Sequence, residues 1–255
     1  MYHFVGCDEK LKGISLEGFK AQLALLQNTY PKDDIVVTFD HGTIDHLENT
    51  APELEKRGLR GVFFVLTMVQ EEHKVPSIDK QRFLEAARGT ELAKMLCNEL
   101  DIDYRPHEAE GYLADYGFYS LEERYLRYLR DRHIPANTYE SFIGEYFQEL
   151  FGAERDFASR QYLSWDDVAE LQNRGHIIGS HSHYHYGDRD DYETSVKLIE
   201  GRINAKVRYV SYPNGVKRIS DSDLEKLGIR KAYISTDGGV DPYRAGRIDC
   251  NQWTL

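Results

Sequence analysis

An alternation of short, nearly continuous apolar runs with polar helical stretches narrows the fold of this chain more than any other feature. Ile35-Val36-Val37-Thr38-Phe39 is almost wholly apolar and β-branched, the pattern of a parallel strand buried on both faces. A polar helical stretch from about Asp45 to Arg57 follows, closed by Gly58 as C-cap, and then a second run, Val62-Phe63-Phe64-Val65-Leu66. Strand, helix and strand within about 30 residues read as a βαβ unit. Upstream, Ser15 is an N-cap, and Leu16, Phe19, Leu23 and Leu26 share one helical face.

The alternation resumes near residue 160. Ser164-Trp165-Asp166-Asp167 pairs an N-cap with acidic residues in the first turn, and the helix runs to Gly175. A strand at His176-Ile177-Ile178-Gly179, a helix from Tyr192 to Ile203, a strand from Val207 to Ser211, a short helix from Ser222 to Leu227 and a strand from Lys231 to Ser235 complete the series. Repeated βα units of this kind make a barrel or a doubly wound sheet. Between them, residues 68–160 read mainly as helix, with Leu121, Tyr125, Tyr128 and Leu129 along one face. No linker composition flanks this stretch, so it is expected to be a helical, aromatic-rich insertion within a single domain spanning 1–255. From Asp101 to Tyr162 it holds 14 of the chain's 18 tyrosines and 11 phenylalanines. That density suits a satellite core or a homo-oligomer surface; it equally suits a cap whose aromatic faces stack on a sugar ring or a nucleotide base.

At 255 residues and 41% hydrophobic composition the chain can bury a sizeable core. Its net charge of −11 argues against a nucleic-acid or anionic-membrane partner, which normally meets a basic face. Cys7, Cys97 and Cys250 lie far apart and are odd in number, so neither a disulfide framework nor a paired-cysteine zinc site is expected. The longest apolar run is Val62 to Leu66, far short of a membrane span or a secretory signal, and a cytoplasmic location is the expectation.

Three segments carry chemistry, each at the C-terminal end of an expected strand: Thr38-Phe39-Asp40-His41-Gly42, His181-Ser182-His183-Tyr184-His185 and Ser211-Tyr212-Pro213-Asn214-Gly215. In βα barrels that edge carries the active site. A lone aspartate or histidine after a strand commonly caps a helix or bonds a neighbouring loop; three segments converging on one rim argue for a site. His181 and His185 stand four apart, a spacing that on a helical turn lets two imidazoles bind one metal.

These segments resemble the polysaccharide deacetylase family (carbohydrate esterase family 4, the nodulation-type deacetylase domain). Thr38 to Gly42 is similar to its Thr-Phe-Asp-Asp-Gly motif, His181-Ser182-x-x-His185 to its His-Ser/Thr-x-x-His, and Tyr212-Pro213-Asn214-Gly215 to its third motif. Gly58 to Val65, Trp165 to Gly179, Asp241-Pro242-Tyr243 and Arg247-Ile248 resemble its flanks, while the aromatic insertion is unmatched. The resemblance implies an α/β fold, a distorted (β/α) barrel of the deacetylase type with a helical insertion. It implies a metal-dependent hydrolase removing an N-acyl group, acetyl first, from an amino sugar in a cytoplasmic saccharide or nucleotide-sugar precursor. Asp40 is then the general base, His181 and His185 metal ligands, and the Tyr212 N–H an oxyanion donor; Pro213, Asn214 and Arg247 are expected at the substrate.

Departures from the family pattern qualify this. The second aspartate of the first motif is His41 here, so one divalent ion, zinc before others, is expected on three imidazoles, His41, His181 and His185. The arginine often found before the third-motif proline is Ser211. The family's late Leu-x-His is absent, which leaves Asp40 itself, His183, His107 or His133 as proton donor to the leaving amine. Two alternatives stand beside the sugar deacetylase: a hydrolase of a non-sugar amide, as in the family's allantoinase-like branch, and a non-catalytic carbohydrate-binding relative.

Overall fold

The structure is a computed structural model describing residues 1–6, 9–32, 35–117, 119–235, 239 and 241–250. Two compact units make up the chain: Met1–Glu9, Gly13–Lys74 and Arg155–Leu255 in one, Lys10–Lys12 and Val75–Glu154 in the other. The insertion expected over 68–160 thus loses its ends to the first unit, which includes the helix Thr67–Glu72.

The first unit is built on five parallel strands in sequential order: β1 Val37–His41, β2 Gly61–Val65, β3 Ile177–Ser180, β4 Tyr209–Ser211 and β5 Lys231–Tyr233. Tyr2 bridges the free edge of β1 at Phe39, and Ala245 bridges β5 at Tyr233. Cys250 N–H then donates to the Met1 carbonyl at 3.1 Å, so backbone hydrogen bonding runs on from the β5 side to the β1 side. The sheet curls into a distorted (β/α) barrel, the fold that the family resemblance implies and one of the two that the βα alternation left open.

Period-two alternation sorts the side chains. Val37 and Phe39 on β1, with Phe63 and Val65 on β2, face the helical layer, where Phe39 stacks on Phe63 at 4.7 Å. Val62 and Phe64 turn the other way, towards Tyr233 and Ala245. Asp40 pairs with Phe64 in register and therefore sits on that inner face.

Helix boundaries follow their caps. Ser15 accepts from Gly18 N–H and starts Leu16–Thr29, whose Phe19 and Leu23 are buried as their spacing predicted. Ser164 and Asp167 form a capping box at Trp165–Asn173. The helical stretch expected from about Asp45 begins as a π-helix, His46–Thr50, and continues as the α-helix Ala51–Lys56, with Gly58 at φ 63° beyond it. Helix Arg189–Ile203 begins three residues before the expected Tyr192, because Asp188 caps it by accepting from Asp191 N–H. Asp221–Lys226 starts after the Ser220 cap.

The second unit is helical: Ser77–Arg88, Glu91–Glu99, Leu121–Arg132 and Ala136–Phe151. Its aromatic density is in good part its own core, since Tyr125, Tyr139, Phe142 and Phe147 are buried. Beside them Arg127 meets Glu85 in a bidentate pair at 2.6 and 2.9 Å, and both side chains are buried. Among the described residues no helix is long and apolar enough to cross a membrane. Cys97 and Cys250 are buried and, among the described residues, form no disulfide; Cys7 lies outside the described residues.

Candidate active site

Because all five strands are parallel, the ends of β1, β3 and β4 share one edge, and the three motif segments meet there. One ring nitrogen from each of His41, His181 and His185 lies within 4.8 Å of the other two. The ring centroids form a nearly equilateral triangle with sides of 5.1, 5.2 and 5.0 Å. The three imidazoles expected as ligands are therefore together, two buried and His185 half-buried.

The backbone that achieves this is not the helical turn expected from the four-residue spacing. Residues 181–188 form a loop in which Ser182 (φ 71°) and His185 (φ 65°) take left-handed conformations. His41, the last residue of β1, is also left-handed at φ 77°, and Gly42 follows at 76°. Non-glycine residues are held there only where surrounding contacts over-determine them, and such residues cluster at functional sites.

Asp40 is buried beside the triad. Arg247 clamps it with two parallel hydrogen bonds, Nη1 to Oδ1 at 2.7 Å and Nη2 to Oδ2 at 2.8 Å. The guanidinium is itself 4% exposed, lies 5.7 Å above the Phe64 ring, and donates from Nε to the Ile234 carbonyl. Arg247, expected at the substrate, is thus placed on the expected base.

Ser211 joins the two halves of the site. Its Oγ is 3.1 Å from Asp40 Oδ1 and 2.6 Å from His181 Nδ1. The hydroxyl has one proton, which the carboxylate takes, so His181 Nδ1–H donates to the serine and Nε2 keeps its lone pair for a metal. Such an outer partner fixes the tautomer and ring orientation of a ligating histidine. Burial holds the His181 pKa down to about 4 against the opposing pull of Asp40, so the ring is neutral at pH 7. Burial alone would push the Asp40 carboxyl up; Arg247, and after it His181, outweigh this and hold it well below the usual carboxylate range.

The donor set fits a divalent ion. Three neutral imidazoles leave its charge uncompensated by ligands, an arrangement that suits zinc and keeps a fourth position open.

Among the other expected residues, Tyr212, Pro213 and Asn214 directly follow β4 at the same edge. The Tyr212 N–H donates to the Tyr233 carbonyl at 2.9 Å within the sheet, so no oxyanion donor is drawn from it. Pro213 is buried, while Asn214 is exposed in a left-handed conformation at φ 54°. His183 is buried, with Nδ1 2.8 Å from Thr67 Oγ1 and Nε2 3.2 Å from Glu72 Oε1, which ties it to the helix Thr67–Glu72. His107 and His133 belong to the helical unit.

Sequence reasoning missed His3. Tyr2 pairs with Phe39 along the free edge of β1, which sets the next residue beside the β1 terminus. The His3 ring lies 5.1 Å from that of His41, edge to face, and its carbonyl is 2.8 Å from His46 Nε2. The one available signal was the short apolar start of the chain, too brief to read as a strand.

Arg247→Met should destabilise the protein by about 3–5 kcal/mol at pH 7, because it strands a buried carboxylate. The sign with pH follows from Asp40. In the wild type its depressed pKa contributes stability that is full above the unfolded pKa of about 3.9 and is lost only as pH falls through the folded value. In the variant burial raises that pKa, so the deficit should shrink on acidification. Urea unfolding at pH 7 and pH 5 measures both; an equal deficit at the two values would show that the pair is not its source.

The fold is a distorted (β/α) barrel of the deacetylase type. No family model matches the chain, and no curated protein matches its sequence. Among solved structures, the deacetylase PplD from Streptococcus pyogenes, in complex with acetate, superposes with a TM-score of 0.51 at 14% identity over 97% of this chain and 89% of that one. IcaB from Ammonifex degensii gives 0.53 at 15% identity, covering 97% and 88%. A polysaccharide deacetylase from Bacillus cereus gives 0.52 at 14%, covering 97% of this chain and 62% of its own.

Proposed function

We propose that this protein is a metal-dependent hydrolase that removes the N-acetyl group from an amino sugar in a saccharide. One observation carries the reading: three imidazoles bring one nitrogen each within 4.8 Å of the other two at the C-terminal edge of the sheet, beside a buried carboxylate clamped by an arginine. The fold likeness to deacetylases supports the same reaction class.

His41, His181 and His185 would hold the ion, which supplies a Lewis acid for the amide carbonyl and lowers the pKa of water. Asp40 takes the proton from the attacking water. Its Oδ1 accepts from Arg247 and Ser211, whereas Oδ2 accepts from Arg247, which leaves Oδ2 a lone pair for that proton. Arg247 keeps the carboxylate ionised and prevents its rotation. A depressed pKa makes Asp40 a weak base in the ground state, so the proton moves only as the water becomes acidic.

Purified protein, reconstituted if necessary, should take up about one zinc per chain, and acetate should appear from N-acetylglucosamine oligomers or a nucleotide-linked N-acetyl sugar. His41→Asp should retain both metal and activity, since a carboxylate oxygen can replace an imidazole nitrogen at zinc. Uptake below about a tenth of an equivalent of any divalent transition metal would overturn the metal assignment. Full zinc loading without acetate release from any such sugar would overturn the substrate class.

A further inference from the structure

The loop that carries His181 and His185 has no regular backbone hydrogen bonding of its own, yet it must hold two left-handed non-glycine residues in one arrangement. One buried side chain gathers four of its amides, while the Thr67 and Met68 N–H groups donate to its Ser182 and His183 carbonyls. The Asp191 carboxylate, 6% exposed, accepts four backbone N–H bonds from this segment. Oδ1 accepts from His183 at 3.0 Å and Tyr184 at 2.6 Å; Oδ2 accepts from Tyr186 at 2.9 Å and Gly187 at 2.8 Å. The amides on both sides of His185 are thereby fixed to one rigid group.

We infer that Asp191 is the positioning residue of the candidate metal site: its carboxylate holds residues 183–187 in the conformation that brings His185 to His41 and His181. The inference rests on the metal reading above. Asp191 lies in the first turn of the helix Arg189–Ile203, and its own N–H donates to the Asp188 side chain at 3.0 Å, which fixes the carboxylate's origin. The same helix anchors the neighbouring ligand. Ser195 Oγ lies 2.8 Å from Ser180 Oγ, which in turn accepts from Ser182 N–H at 3.0 Å. Tyr192 donates to the Ser211 carbonyl, the group 3.1 Å from His181 Nδ1. One helix therefore sets both motif histidines, Asp191 for His185 and Ser195 with Tyr192 for His181.

Four N–H donors meet the four lone-pair directions of a carboxylate, and no other side chain of this size offers as many acceptors. Asp191→Asn keeps the shape but turns an amine towards two of the four N–H groups, so one side of the clamp becomes donor against donor.

The test compares wild type, Asp191→Asn and Asp191→Glu by zinc competition against a chromophoric chelator and by backbone hydrogen exchange on metal-free protein. With a cooperative melt retained, Asp191→Asn should weaken zinc affinity about 10–100-fold, the range for outer-layer partners of metal ligands, and Asp191→Glu should recover part of it. Amides 183, 184, 186 and 187 should lose protection in Asp191→Asn while β1 and β2 keep theirs. A merely structural role would lower the melting temperature of a folded variant without moving its zinc affinity, and that result overturns the inference. Should the wild type take up no zinc, the metal reading fails and exchange alone decides: retained protection at those four amides refutes the clamp. If neither variant folds, the carboxylate supports the whole unit rather than the loop, and the inference is equally overturned.

Discussion

His181→Ala should reduce zinc uptake from about one equivalent to less than about a tenth and abolish acetate release, the largest effect expected of any single change in this protein. With one imidazole gone, two neutral nitrogens remain, too few to hold a divalent ion against water. The substitution also removes the ring that links the site to Ser211, leaving the serine hydroxyl on Asp40 alone. Alanine creates a cavity at a buried position, so the fold must be checked by its melt. Zinc measured by elemental analysis on folded variant decides the matter. A variant that stays fully loaded would place the ion elsewhere.

Asp40→Asn separates the base from the metal. It should bind zinc as the wild type does and yet lose at least about a hundredfold in turnover, because a positioned general base typically contributes 10²–10⁴-fold. Asparagine keeps one oxygen for Arg247 but gives up the charge that the buried guanidinium faces at 2.7 and 2.8 Å, so some stability is lost as well. Comparing rates well below both melting temperatures removes that contribution. Near-normal turnover at full zinc occupancy would reassign the base, and His3, ring to ring with His41 at 5.1 Å, would be the next residue to substitute.

How much of this could be read from the chain depends on the range of the interactions. The buried strands were legible because a parallel strand covered on both faces must be apolar throughout; only their ends shift. The run beginning at Ile35 enters the sheet at Val37, because Val36 is 53% exposed. Caps were legible for the same local reason, at Ser15 and Ser164, since cap and capped amide lie within three residues. The spacing of His181 and His185 is a local signal too; it suits a helical turn, but a loop with left-handed residues brings the same two rings together.

The βα alternation is written in the apolar and polar runs, and the three motif segments fall at strand ends that share one edge of the sheet. Asp40, His41, His181 and His185 are legible in those motifs as candidates. What surrounds them is set by packing across the fold. The guanidinium opposite Asp40 comes from a residue 207 positions away, the imidazole beside His41 from the start of the chain, and the four-fold acceptor under His185 from a neighbouring helix. Periodicity and spacing report contacts among near neighbours in the chain. A buried charge is matched by whichever partner the curled sheet brings within reach, and that is settled by the packing of the sheet.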